Sequence, residues 1–116
     1  IFFSLLFFCF LLPLPDRLDH ALLKAAYGAA WDDAVAALMD GADIDATDPA
    51  TGLTPLHLAV GTNNLPLVRL LVEDWGATFK PDGLGRWPSV VAARCGVDED
   101  LADYIAEAEA KATNAE

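Results

Sequence analysis

Apolar residues along this chain recur at helical rather than strand spacing. Leu18, Leu22, Ala25 and Ala26 form one stripe, and Trp31, Val35 and Leu38 form a second a short way on. Spacings of three and four residues place such side chains on one face of a helix. The same alternation of short stripes returns in Leu56, Leu58 and Ala59, followed by Leu67, Val68, Leu70 and Leu71. Near the C-terminus Leu101, Tyr104, Ile105 and Ala108 line one narrow face, with Glu99, Asp100, Asp103, Glu107 and Glu109 around the rest. That last pattern predicts a capping helix with one side on a core and the other in water. Between the stripes lie short polar links, so the predicted architecture is all-α, built from helix–turn–helix pairs.

The pairs repeat. Thr54-Pro55 recurs as Trp87-Pro88, Gly52 as Gly85 and Ala59 as Ala92, each 33 positions on. Val35 and Val68, Leu38 and Leu71, and Gly28 and Gly61 keep the same interval. Leu22 and Ala25 match Leu56 and Ala59 at 34. Independent pairs agreeing on one period mark a repeat architecture, in which each unit buries its apolar face against the next. Pro55 is expected at a helix start, where its missing N–H costs nothing, with Thr54 before it as the cap. Asp32 and Asp33 fall in a first turn, where the helix dipole favours negative charge.

The string GLTPLHLAV at 52–60 resembles the ankyrin-repeat signature G-x-T-P-L-H-x-A, and GADIDATD at 41–48 resembles the polar link of that family. The resemblance covers roughly residues 18–110. It implies a solenoid of stacked helix pairs with β-turn fingers projecting to one side, in units of about 18–47, 48–81 and 82–110. It also implies that His57 is a structural residue, bonded to Thr54 and to the backbone of a neighbouring finger. Two departures are visible. Val35 to Gly41 is shorter than the family pattern, so the first finger should start early. Val68 to Gly76 is longer, which predicts a bulge around Glu73–Trp75. The third unit, DGLGRWPSVVAARCG at 82–96, replaces Thr by Trp87 and His by Val90, and so lacks the polar capping network expected of Thr54 and His57.

Composition narrows the function. Eighteen acidic residues against seven basic give a formal charge of -11. Proteins hold phosphate backbones mainly with Lys and Arg, so a nucleic-acid partner is not expected. A basic protein partner, or one without charge preference, fits better. Cys9 and Cys95 give neither a disulfide framework nor a zinc spacing, and they suit a reducing compartment or indifference to redox state. Asp43, Asp45 and Asp48 alternate as in a calcium loop. The sixth and twelfth positions counted from Asp43 are Asp48 and Thr54, where such a loop needs Gly and Glu. They are read as turn residues. No Ser or Cys forms a local nucleophile signature with His57. Neither an enzyme nor any cofactor or metal is expected.

The resemblance implies a non-catalytic module that binds another protein through its fingers and a concave helix face. On that analogy the contacts come from Asp45, Thr47, Asp48 and Ala50 on one finger, and from Phe79, Lys80 and Asp82 on the next. Arg86 stands at the base of that second finger, and Trp75 beside the inserted residue. Phe79 has a second reading, folding back onto the stack. Trp31 and Trp87 are expected to pack between repeats. Apart from its partner the chain is expected to be monomeric.

Residues 1–14, IFFSLLFFCFLLPL, are apolar except for Ser4 and Pro13. They read as an export-signal core, as one end of a membrane anchor, or as an extension foreign to the domain. Pro13 and Pro15 break a helix here, which places a boundary near residue 16, with a domain over 16–112 and a flexible tail at 113–116. A cytoplasmic repeat domain is the first expectation; an anchored or exported one follows if the leader is genuine. The alternative function is then an accessory subunit of a membrane assembly, tethered by residues 1–14.

Overall fold

The computed structural model describes residues 14–28 and 30–114. The readings of the leader, and of residues 115–116 of the tail, fall outside them. Among the described residues six α-helices follow one another: α1 (Leu14–Tyr27), α2 (Trp31–Met39), α3 (Pro55–Gly61), α4 (Leu65–Arg69), α5 (Pro88–Cys95) and α6 (Glu99–Asn114). A π-helical segment, Leu70–Asp74, continues α4 without a break. Pro15 lies in the first turn of α1, where a proline is tolerated. At the other end α6 runs on to Asn114.

The helices stack as pairs. α1 packs on α2, α5 on α6, and α3 on both α4 and the π-helical segment. Across the pairs, α1 packs on α3 and α3 on α5, so α1, α3 and α5 form an inner row and α2, α4 and α6 an outer one. One continuous core runs through the stack, from Leu22, Ala26 and Leu38 through Leu56, Leu67 and Leu71 to Leu101 and Ile105. Alanines at Ala25, Ala34, Ala37, Ala59 and Ala92 keep the layers close. In α2 the buried positions are Ala34, Ala37 and Leu38, while Val35 is only half-buried. Trp31 is 45% exposed, contrary to the expectation that it packs between repeats. It is the first residue of α2, beside the loop that joins the helices.

The first two helix pairs each close on a left-handed glycine. At Gly41 (φ 110°) the Ala42 N–H reaches the Ala37 carbonyl at 3.0 Å and the Gly41 N–H reaches Leu38 at 3.1 Å. These two bonds make a Schellman motif. The second pair ends on Gly76 (φ 65°), but there the Ala77 N–H reaches back six residues, to the Leu71 carbonyl at 2.9 Å. The extra length foreseen around Glu73–Trp75 is thus absorbed as π-helix, beginning three residues earlier than the sequence placed it. Inserting a residue into a helix in this way is what π-bulges do. Among the described residues there is no β-strand, and the segments between pairs are held by turns.

Candidate functional site

The loops 40–54 and 75–87 are built from their own aspartates. Asp43 Oδ1 accepts from the Asp45 N–H at 3.0 Å, and Asp48 Oδ1 from the Ala50 N–H at 2.8 Å. A carboxylate that bonds a backbone two residues on forms a local turn without a ladder. Asp45 does something different: its carboxylate takes the Thr78 N–H at 2.9 Å and the Thr78 hydroxyl at 2.8 Å. Lys80 Nζ donates to the Asp45 carbonyl at 3.3 Å. Asp45, Thr78 and Lys80 therefore couple one loop to the next. Asp19 of α1 does the same one step earlier, accepting from the Asp43 N–H at 2.8 Å.

Thr54 and His57 form the junction between the second and third units. The Thr54 hydroxyl accepts from the His57 N–H at 3.3 Å and lies 2.7 Å from Nδ1; Nε2 lies 2.9 Å from the Arg86 carbonyl. A carbonyl can only accept, so Nε2 carries the proton and Nδ1 takes the Thr54 hydroxyl hydrogen. Burial lowers the pKa of His57, outweighing the Arg86 carbonyl that favours the cation. The ring is neutral, and the role implied by the family resemblance is the one it plays.

Arg86 and Asp82 set the base of the second loop. Asp82 Oδ1 accepts from the Leu84 and Arg86 N–H groups, both at 2.9 Å, and Oδ2 meets Arg86 Nε at 2.8 Å. Burial pushes the Asp82 carboxyl up, but these hydrogen bonds and the adjacent guanidinium together outweigh it and its pKa lies below the ordinary value. The Asp82 side chain is 0% exposed, so its carboxylate is spent inside the loop and is withdrawn from the contact surface inferred from sequence. Next to it the two loops nearly touch. A Cβ on Gly83 would lie 2.4 Å from the Thr51 oxygen, and one on Gly52 (φ 73°) 2.5 Å from the Gly83 nitrogen.

This close approach creates a cleft of about 470 Å³, lined by Thr47, Asp48, Ala50, Thr51, Leu84 and Arg86 among others. Four of the residues singled out from the sequence, Thr47, Asp48, Ala50 and Arg86, meet there. Leu84, which the sequence reading passed over, is 77% exposed beside them. A leucine in a Gly-rich turn gives no periodic signal, so only its exposure reveals it. Phe79 lies elsewhere: it packs partly against the core and borders a second cleft with Trp87 and Thr113. Trp75 is exposed at the end of the π-helical segment and lines neither cleft.

A third depression crosses the inner row. Tyr27, Leu53, His57, Leu58, Gly61, Thr62, Arg86, Val91 and Cys95 enclose about 230 Å³ there, on α1, α3, α5 and the bases of both loops. Tyr27 is 73% exposed above it. Among the described residues no helix is long and apolar enough to cross a membrane.

Two comparisons bear on what this arrangement is. A family model described as ankyrin repeats in three copies matches residues 22–115. An ankyrin repeat protein of Rickettsia bellii (strain RML369-C) is 36% identical over 90 residues, covering 76% of this chain and 47% of that protein. The chain thus spans about half the length of this curated relative.

Proposed function

The chain belongs to the ankyrin-repeat family, and from that premise we propose that it is a non-catalytic protein–protein interaction module whose contacts lie on the loops and the inner helix row. The observation that carries this reading is the pairing of rigidity with exposure on one side of the stack. Asp45 and His57 tie one loop to the next, and Asp82 holds the second loop together from within. Around those ties Thr47, Ala50 and Leu84 stand in solvent, an arrangement that presents a preorganised surface at little entropic cost. The loops 40–54 and 75–87 act as the family's β-turn fingers, and Thr47, Asp48, Ala50, Leu84 and Arg86 form the principal contact patch. Trp75, Phe79 and Lys80 flank it, while Asp45 and Asp82 position the others. The repeat domain works in the cytoplasm, in keeping with the exposed free thiol of Cys95.

The test is direct. A partner captured from cells of the source organism is titrated calorimetrically against the chain and against a Leu84→Glu, Ala50→Arg variant. The reading expects a weakening of at least about tenfold, since anchors near the centre of an interface carry most of its energy. Unchanged affinity in a folded variant contradicts it.

A further inference from the structure

The first helix pair has a side that the rest of the described stack does not cover. A cleft of about 490 Å³ lies there between α1 and α2, lined only by residues from Leu18 to Asp40. Its floor is apolar: Leu18, Ala21 and Ala25 of α1 meet Ala36 and Ala37 of α2. Ala21 and Ala36 are exposed. Pro55, which stands 34 positions on from Ala21 in the second unit, is buried. This position is thus covered inside the stack and open at its end. Three charged side chains surround the floor, namely Lys24, Asp33 and Asp40, and all are exposed. None of them is ion-paired among the described residues, where the pairs are Arg86–Asp82 and Lys111–Glu107. The other charged residues of the pair, Asp16, Arg17, Asp19 and Asp32, do not line the cleft, and Asp19 is engaged by the Asp43 N–H.

The placing of these charges says what fits the face. A short link joins α1 and α2, so the two helices run antiparallel. Lys24 stands three residues before the end of α1, and Asp33 two after the start of α2. They therefore lie at nearly one level on opposite sides of the cleft. A two-fold axis parallel to the helices lays α1 of one copy over α2 of another, and each Lys24 then meets Asp33 of the second copy. The apolar floors meet between the two pairs, where alanines allow a close approach of the helices. An isologous contact needs a surface that complements itself under such a rotation. A face of one sign repels its own copy; this one carries both signs, unpaired.

We propose that the end face formed by α1 and α2 docks a second copy of this chain, giving a two-fold dimer held by two Lys24–Asp33 pairs around an apolar centre. This dimer departs from the monomer expected from the sequence. The charge of -11 does not forbid it. Packed helix layers lie roughly 8–10 Å apart, so the carboxylates of α6, two layers from the face, are about two Debye lengths away at physiological salt. The contact patch around Leu84 belongs to the loop between the second and third pairs. It stays free, and the dimer presents two such patches.

Sedimentation equilibrium of the full chain and of the single variants Lys24→Asp and Asp33→Lys tests it. The parent is expected to reach twice its mass of 12.4 kDa as its concentration rises through the micromolar range. Each variant sets like charges against each other at both pairs, so its dimer should weaken at least about a hundredfold. An equimolar mixture of the two variants should dimerise again, because each supplies the charge that the other has lost. Rescue on mixing reports pairing between chains, which a change within one chain cannot imitate. Both variants should keep the far-ultraviolet circular dichroism of the parent, since both side chains are exposed. Ala36→Arg, at another exposed position, crowds the floor and should be monomeric as well. A parent chain that stays monomeric overturns the proposal. So does association that the variants retain, which has its source elsewhere in the chain, and so does a mixture that fails to recover the dimer.

Discussion

His57 is 1% exposed and links two repeats through one proton on Nε2. Its pKa is lowered in the folded chain, so the unfolded chain binds the proton more readily. The stability this neutral ring contributes is complete above the ordinary value of 6.5 and is lost as pH falls below it toward the folded value. Asp82, also lowered, adds a second loss as pH falls below its ordinary 3.8. The expected result is a melting temperature that drops between pH 7.5 and 5.5 in the parent chain and drops less in His57→Asn. Equal slopes in the two proteins would remove the argument. Gly83 offers a steric test at the same scale. Its φ is not in the left-handed region, yet a Cβ would overlap the Thr51 backbone oxygen. Gly83→Ala should therefore cost about 2 kcal/mol or more in urea denaturation, against about 1 kcal/mol for Gly76→Ala, which meets only the left-handed φ and open space. The roles of Thr54 and His57 were legible in the sequence, because cap, proline and histidine lie within four consecutive residues. Trp31 was misread because its spacing places it on the apolar stripe of α2 without showing that this end of the stripe lies in solvent.

Among the elements, α5 differs most from its counterpart in the second unit. Trp87 offers no side-chain cap, as the loss of Thr and His foretold. The missing cap is replaced from a distance: Glu109 of α6 takes the Ser89 N–H at 3.0 Å and the Ser89 hydroxyl at 2.9 Å. Nothing in the sequence marks that pair, since the two residues are twenty apart and meet only after α5 and α6 fold together. Glu109→Ala should lower stability by about 1–2 kcal/mol through the lost cap, with faster amide exchange in the first turn of α5. A change confined to α6 would contradict this. The inserted residue around Glu73–Trp75 was legible as a count but not as a conformation. Spacing shows that a residue is extra, whereas the bonding of the last turn decides that it widens the helix. Deleting the exposed Asp74 should convert the π-helical segment to an ordinary end and leave the chain folded, with urea midpoints within about 1 kcal/mol of the parent. Global unfolding on that deletion would mean that the wide turn is required.

At the scale of the stack, the three pairs among the described residues are close to the minimum that closes a repeat core. Such a stack gains much from a partner that binds only its folded form, about 2.7 kcal/mol at a ligand concentration one hundred times Kd. The Arg69 guanidinium over the Tyr104 ring at 5.1 Å joins the outer helices of the last two pairs, whereas His57 of the inner row and Asp45 of the first loop both tie on to the second loop. Period and fold class could be read from the chain because every unit repeats the same apolar spacing. The close meeting of Gly52 and Gly83 could not, because it depends on how successive loops pack against each other. On the function proposed above, the loops and the inner row together form the protein-binding side of the stack. Backbone amide chemical shifts, followed while the natural partner is titrated into isotopically labelled chain, test this most directly. The largest changes should fall at Ala50, Leu58, Gly61, Leu84, Arg94 and Cys95. Changes concentrated instead on α2, the π-helical segment and the outward side of α6 would contradict it.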